Sequence, residues 1–370
     1  MKCLLGGILA AVLLCLGTGP ARAALEGFEP SKHYEPSCFA DVAETDWFAE
    51  NVRFVYEYGV MEGVSADRFD PRGTVTIAQA ITIACRLHQS WHEAEDLSGG
   101  SPWYAPYLAY AQRHDLVGEL SDEDMRRTAL RADFAMILSR ALREEDLAPI
   151  NDLAEGELPD VCPLMTYSEP VTLLYRAGVL TGNDAYGSFA PYSTITRAEA
   201  AAIVSRMIDP ALRKTLSLRA APAPELVALE QIPNRKNLQK KATDEQFAEA
   251  YAIARSYVEP LARYSRAEQL YCVTVLLRQL FERGMEYSME SAHYNDPYGY
   301  FVEGSASCAG CTRATGLCLS ILGIPFEHVN ENQYSHQWCR VPVNEEYWIA
   351  DAYGLYCGPE PAPYTHPYFE

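Results

Sequence analysis

Positive charge is scarce in this chain: 30 Lys and Arg stand against 50 Asp and Glu in 370 residues, giving a net charge of −20 and a pI near 4.8. A polyphosphate backbone would be repelled, because affinity for nucleic acid comes largely from Lys and Arg displacing counterions. Long apolar runs are lacking as well. Leu4 to Leu16 falls short of the roughly 20 residues that span a bilayer, and no other segment is long and apolar enough, so no membrane contact is expected of the mature chain. With Lys2 before that run and Ala21-Arg22-Ala23 after it, residues 1–23 read as a secretory signal. Its removal takes Lys2 and Arg22, shifting the charge to −22, and takes Cys3 and Cys15, leaving nine of the eleven cysteines. An odd number in an exported chain leaves at least one thiol without an internal partner. The 48% of hydrophobic residues suffices for packed cores, and 370 residues predict two or three compact units.

Three segments repeat one pattern. The first runs through Phe39-Ala40-Asp41-Val42, Trp47, Gly59-Val60 with Gly63, Phe69-Asp70-Pro71 and Thr76-Ile77-Ala78-Gln79. The third runs through Leu158-Pro159-Asp160-Val161, Gly178-Val179 with Gly182, Phe189-Ala190-Pro191 and Thr196-Arg197-Ala198-Glu199. The middle copy keeps Trp103-Tyr104 and Leu130-Arg131-Ala132-Asp133 but has lost the Phe-x-Pro turn. Thr76 with Gln79 and Thr196 with Glu199 are capping boxes that fix where a helix starts. Apolar residues then recur at helical spacing: Ile77, Ala80, Ile81, Ala84; Phe134, Ile137, Leu138, Ala141; and Ala200, Ile203, Val204, Met207. One helix pair cannot bury such a face alone, so the copies are expected to pack together.

These motifs resemble the S-layer homology (SLH) family, with repeats at 38–92, 100–146 (degenerate) and 158–212. The resemblance implies an all-α three-repeat module that holds an exported protein on the anionic secondary polysaccharide of a Gram-positive cell wall. It also implies ligand-side roles for Arg197, Arg131, Trp47 and Trp103, since guanidinium forks carboxylate and indole stacks on sugar. In the first copy Ile77 stands where the arginine would be. Residues 214–242 change character, with Pro222, Pro224 and Pro233 and six Lys or Arg against two Glu, and read as a linker.

From Thr243 a new unit, 243–370, begins with helical faces at Phe247, Ala250, Tyr251, Ala254 and at Leu270, Val273, Leu277, Leu280. A turn-rich aromatic loop, 294–302, follows, and then Ser307-Cys308-Ala309-Gly310-Cys311 at the predicted start of a helix ending before Gly323. A thiol at a helix start meets free backbone N–H groups and the positive end of the dipole, which favour thiolate. His336-Gln337-Trp338 and Tyr347-Trp348-Ile349-Ala350-Asp351 read as neighbouring strands able to aim a base and its orienter at that thiol.

At these residues the sequence resembles the transglutaminase-like core of the papain-like cysteine enzymes, over about 268–355. The matching elements are Cys308-x-Gly310, Leu322-Gly323-Ile324-Pro325, His336-x-Trp338 and Trp348-x-x-Asp351. The resemblance implies an α+β fold in which Cys308 is the nucleophile, His336 the general base and then acid, and Asp351 the residue that orients the imidazole. The implied reaction is thiol acyl transfer on protein or peptide amides, by hydrolysis or by crosslinking, without cofactor or metal. Gln337 and Ala352-Tyr353-Gly354 depart from the family's usual residues. Asp351 lies near the C-terminus, so the sheet is expected to be small and the cleft shallow or completed by the upstream loop.

Other readings stand beside this one. Cys308, Cys311, His336 and Cys339 have spacings that a zinc site accepts, and Cys308 could instead join a disulfide. Cys339 and Cys357 could pair with each other or with Cys272. His293 and His328 are weaker candidates for the base. A domain that binds without catalysing, in a surface or S-layer-associated structural protein, is the alternative function.

Overall fold

The computed structural model describes residues 25–154, 156–331, 333 and 336–362; the expected signal, residues 1–23, lies outside them. The first repeat contributes helices α1 (Ala49–Glu57) and α2 (Ile77–His88), the second α3 (Ala105–Arg113), α4 (Asp122–Arg126) and α5 (Arg131–Leu138), the third α6 (Ser168–Arg176) and α7 (Arg197–Ile208). The expected capping boxes are present: Gln79 N and Glu199 N each donate to the threonine oxygen at 3.3 Å, and Gln79 Oε1 and Glu199 Oε2 accept from Thr76 N and Thr196 N. The apolar faces of α2, α5 and α7 meet in one core shared by all three copies.

The module is not purely helical. The stretch before α2, α5 and α7 is extended in every copy, and the three stretches pair in a closed ring through Thr76 with Thr128, Leu130 with Thr194, and Thr74 with Thr196. Val75 N donates to Ile195 O at 3.0 Å, Ala129 N to Val75 O at 2.8 Å, and Arg131 N to Ser193 O at 2.8 Å. Helical periodicity cannot reveal such short segments.

The repeat motifs serve this ring. Asp41 accepts from Phe69 N and Asp70 N at 2.9 and 2.8 Å, and Asp160 from Phe189 N and Ala190 N at 2.8 and 2.6 Å. Each carboxylate thus holds its own Phe-x-Pro turn, whose central residue is left-handed (φ 58° at Asp70, 57° at Ala190). Burial opposes the charge on Asp41, but the backbone amides outweigh it and keep the carboxyl below its ordinary range.

Arg131 and Arg197 correct an expectation, because both are buried inside the module rather than offered to a ligand. Arg197 Nε donates to Phe69 O at 2.7 Å and Nη2 to Glu62 O at 2.5 Å, with the guanidinium 4.6 Å above the Phe69 ring. Arg131 Nε donates to Phe189 O at 2.7 Å, 5.2 Å above the Phe189 ring. Each arginine therefore clamps the Phe-x-Pro turn of another copy. The third possible clamp, between copies one and two, has lost both halves: the arginine is Ile77 and the turn is absent from the middle copy.

The segment 214–242 also departs from expectation. It is packed rather than a solvated linker: Lys214 N bonds Gly178 O and Leu216 N bonds Asn151 Oδ1, while Val227 N bonds Ile321 O and Ile232, Leu238 and Ala242 are buried. Leu216 and Leu218 rest on the first core, and Leu226, Val227 and Leu229 on the second. The apolar residues between the prolines and charges explain the difference. The segment includes α8 (Arg235–Gln239), after which come α9 (Asp244–Val258) and α10 (Arg266–Glu282).

A short parallel pair, β1 (Glu286–Tyr287) with β2 (Ser305–Ala306), precedes α11 (Cys308–Ile321). An antiparallel sheet follows in the order β3 (Glu327–Val329), β4 (Trp338–Val343), β5 (Glu346–Asp351), β6 (Tyr356–Pro359). Helices, small sheet and the strand pair around the Asn344 turn match the α+β expectation in outline. Tyr192 Oη donates to Glu268 Oε1 at 3.0 Å and Tyr167 Oη to the same oxygen, tying the third repeat to α10. Cys162 and Cys272 meet beside this contact with sulfurs 3.2 Å apart, so Cys272 faces neither Cys339 nor Cys357 as its closest thiol.

Asp160→Ala should leave the Phe189 and Ala190 N–H groups unsatisfied and lower the stability of the repeat unit by about 1–3 kcal/mol. Chemical denaturation checks this against the exposed Glu225→Ala, expected to stay within about 0.5 kcal/mol of the parent; equal midpoints would refute it.

Candidate active site

Helix α11 is buried from Ala309 to Ile321, and Cys308, its first residue, alone is partly open. Ser307 N and Oγ both donate to Tyr294 O, at 2.8 and 3.0 Å, fixing the helix start against the upstream loop. Gly310 explains its own place in the Cys308-x-Gly310 pattern: a Cβ there would lie 2.6 Å from Tyr294 O.

Pairing of Cys339 with Ala350 brings the start of β4 beside the end of β5. His336 and Asp351, both buried, share a 2.6 Å hydrogen bond in which Nε2–H donates to Oδ2. Cys308 lies within hydrogen-bonding reach of the ring. Asp351 Oδ1 accepts from Gly354 N at 2.9 Å, and a Cβ on Gly354 would stand 2.1 Å from Asp351 Oδ2. The departure from the family's usual residues at 352–354 thus supplies a turn that only glycine allows. Trp338 (centroids 6.1 Å) and Tyr353 (5.8 Å) flank the imidazole.

Burial separates Cys308 from its neighbours. Burial opposes a charged His336, but the hydrogen bonds and charges of Asp351 and Cys308 outweigh it and push the ring up to about 9. Burial raises the thiols of Cys311 and Cys339, and pushes Cys318 up to about 12. Cys308, Cys311, His336 and Cys339 do not assemble as metal ligands: among the described residues, no three of them bring their ligand atoms within 4.8 Å of one another. Cys311 is buried in the core, and Cys339 Sγ donates to Thr312 O at 3.4 Å.

A cleft of about 270 Å³ opens at Cys308, walled by Tyr287, Met289, Tyr294, Asn295, Gln333 and Gln337. The upstream loop does complete it. Gln337 is held by His328, whose Nε2–H donates to Oε1 at 2.7 Å; burial pushes that histidine down to about 4, so it stays neutral. His293 is occupied elsewhere, bonding Asp296 at 2.8 Å. Asn295 was not singled out from the sequence beyond its turn. Its Oδ1 is buried without a hydrogen bond, and the residue lines the cleft beside Cys308.

The four residues expected to bind wall polymer divide. Arg131 and Arg197 are spent on the turns, whereas Trp47 and Trp103 are 66% and 51% exposed, each just before the first turn of α1 or α3. They stack edge-on against Phe48 and Tyr104, which leaves indole surface facing outward.

The folded value of His336 lies above the ordinary 6.5, so its protonated form stabilises the fold fully below about pH 6.5, and this contribution is lost as pH rises through about 9. Thermal unfolding from pH 6 to 10 should show that loss in the parent chain and a flatter profile in His336→Gln; superimposable profiles would count against the charged pair.

The S-layer homology domain family model matches residues 39–81 and 164–201, within the first and third repeats. A "Cell surface protein" of Thermoanaerobacter kivui is 33% identical over 108 residues, 29% of this chain and 13% of that protein. The "Surface-layer 125 kDa protein" of Lysinibacillus sphaericus is 29% identical over 129 residues (32% and 11%), and the "S-layer protein sap" of Bacillus anthracis 22% over 175 residues (45% and 21%). The chain thus spans roughly a tenth to a fifth of the length of these curated relatives. Through its first and third repeats it carries S-layer homology domain sequence.

Proposed function

We propose that this chain is a bacterial cell-surface protein whose repeat module attaches it to an anionic wall polysaccharide and whose C-terminal unit is a transglutaminase-like thiol acyltransferase or peptidase. The bond between His336 and Asp351, with Cys308 in reach of the ring at the mouth of a cleft, carries the catalytic part of this reading. Similarity to surface-layer proteins supports the attachment part.

His336 takes the Cys308 proton, and the thiolate attacks the carbonyl carbon of a protein or peptide amide. On this reading the Cys308 backbone N–H, with the Asn295 side-chain N–H as a second donor, receives the oxyanion. His336 then protonates the leaving amine, and a thioester to Cys308 remains. Water resolves it to an acid, or an amine resolves it to a new amide, and the thiol is restored in either case.

A purely structural surface role is the second reading, and the names of the relatives favour it. Iodoacetamide near pH 6 separates the two. Catalysis requires fast, selective alkylation of Cys308 that drops at least about tenfold in His336→Ala, whereas slow, equal labelling of all thiols would leave only the structural role. For attachment, the chain should co-sediment with purified cell walls, and Trp47→Ala with Trp103→Ala should weaken that several-fold. Failure to sediment with walls of several types would overturn the attachment.

A further inference from the structure

Three histidines outside the candidate active site converge where the first and second repeats meet. His88 is the last residue of α2, His92 follows four residues later in the turn leaving that helix, and His114 caps the C-terminus of α3. One ring nitrogen from each lies within 4.8 Å of the others, and the ring centroids are 4.6 to 5.0 Å apart. Zinc held by nitrogen ligands at about 2.0–2.1 Å needs only a closure of about 1–1.5 Å from this arrangement.

We propose that His88, His92 and His114 form a binding site for a divalent first-row transition cation, best suited to Zn2+, that staples repeat one to repeat two.

The chemistry of His88 and His114 supports the site, and His92 joins it by releasing the Glu93 N–H that its Nδ1 accepts at 3.0 Å. Tyr110 Oη stands 2.7 Å from His88 Nδ1; by accepting that N–H it leaves Nε2 with the lone pair a metal needs, the arrangement common to metal-bound histidines. His114 Nε2 is buried and makes no hydrogen bond, an unmet need that a metal would satisfy. Glu95 Oε1 lies 3.8 Å from that nitrogen, and Arg113 holds the carboxylate at 2.6 and 2.7 Å, so a carboxylate oxygen or a water can complete four ligands. Two helix C-termini, those of α2 and α3, converge here, and their negative dipole ends favour a cation. Imidazole with oxygen selects a borderline ion such as zinc over calcium or magnesium. The place has a structural logic too. This is the interface between repeats that has lost its arginine clamp, through Ile77 and the missing turn, so a metal would supply the cross-tie that protein groups supply elsewhere.

The test uses the full mature chain with exposed thiols alkylated and metal stripped. Added Co2+ should bind one per chain and give the visible absorption of a four-coordinate nitrogen–oxygen site, with no sulfur-to-cobalt charge-transfer band. Added Zn2+ should raise the unfolding midpoint by several degrees. His92→Ala, at an exposed position, should weaken Zn2+ binding at least about tenfold and abolish the shift, as should His114→Gln. A charge-transfer band, absence of binding at 100-fold molar excess of Zn2+, or unchanged affinity in both variants would each overturn the site.

Discussion

The repeat module depends on one constraint: three extended backbone segments must close into a ring before three helices can leave it. A helix pair has one apolar face and nothing of its own to cover it. Bridging Thr74, Thr76 and Leu130 to segments of other copies aims α2, α5 and α7 into a common core. The repeat letters then acquire separate duties. Aspartate holds the Phe-x-Pro turn, threonine starts the helix, and arginine reaches across to the turn of another copy. Because the arginine and the turn belong to different copies, decay of the middle turn removes the partner that an arginine at position 77 would need. Ile77 and the missing turn are therefore one loss seen at two places.

Local patterns carried the legible part. Capping boxes, helical faces, the strand pair and the order of Cys308, His336 and Asp351 each depend on residues near in sequence or on spacings a family shares. The likeness to S-layer homology repeats was readable for the same reason. What could not be read depends on partners far along the chain. Arg197 looks like an exposed helix residue until Phe69, 128 positions away, covers it. Composition marked 214–242 as a spacer because prolines and charges outnumber the few leucines that pin it down. Asn295 and Gly354 gain meaning only from what stands beside them, and so does the meeting of Cys162 with Cys272.

Burial sorts the cysteines of α11 into different chemistries within a few residues. Cys311 and Cys318 lie in the core, where losing a proton would place an unsolvated charge there, whereas Cys308 sits on the rim beside a cation-prone imidazole. The same principle recasts the chain's acidity. A net charge of −20 disfavours approach to an anionic polymer, and the arginines that might have offset it are inside. On the proposed reading, the exposed indoles at Trp47 and Trp103 offer a contact with sugar that itself involves no charge.

The packed course of residues 214–242 governs how far the C-terminal unit can range. A free spacer of that length would let it sample a sphere of roughly 30 Å. Pinned to both cores and joined through Glu268 to Tyr167 and Tyr192, the cleft at Cys308 instead keeps a set orientation to the repeats. On the proposed reading, such an enzyme does not search the surface around its anchor. It works as a fixed station, and its turnover is set by how often substrates pass.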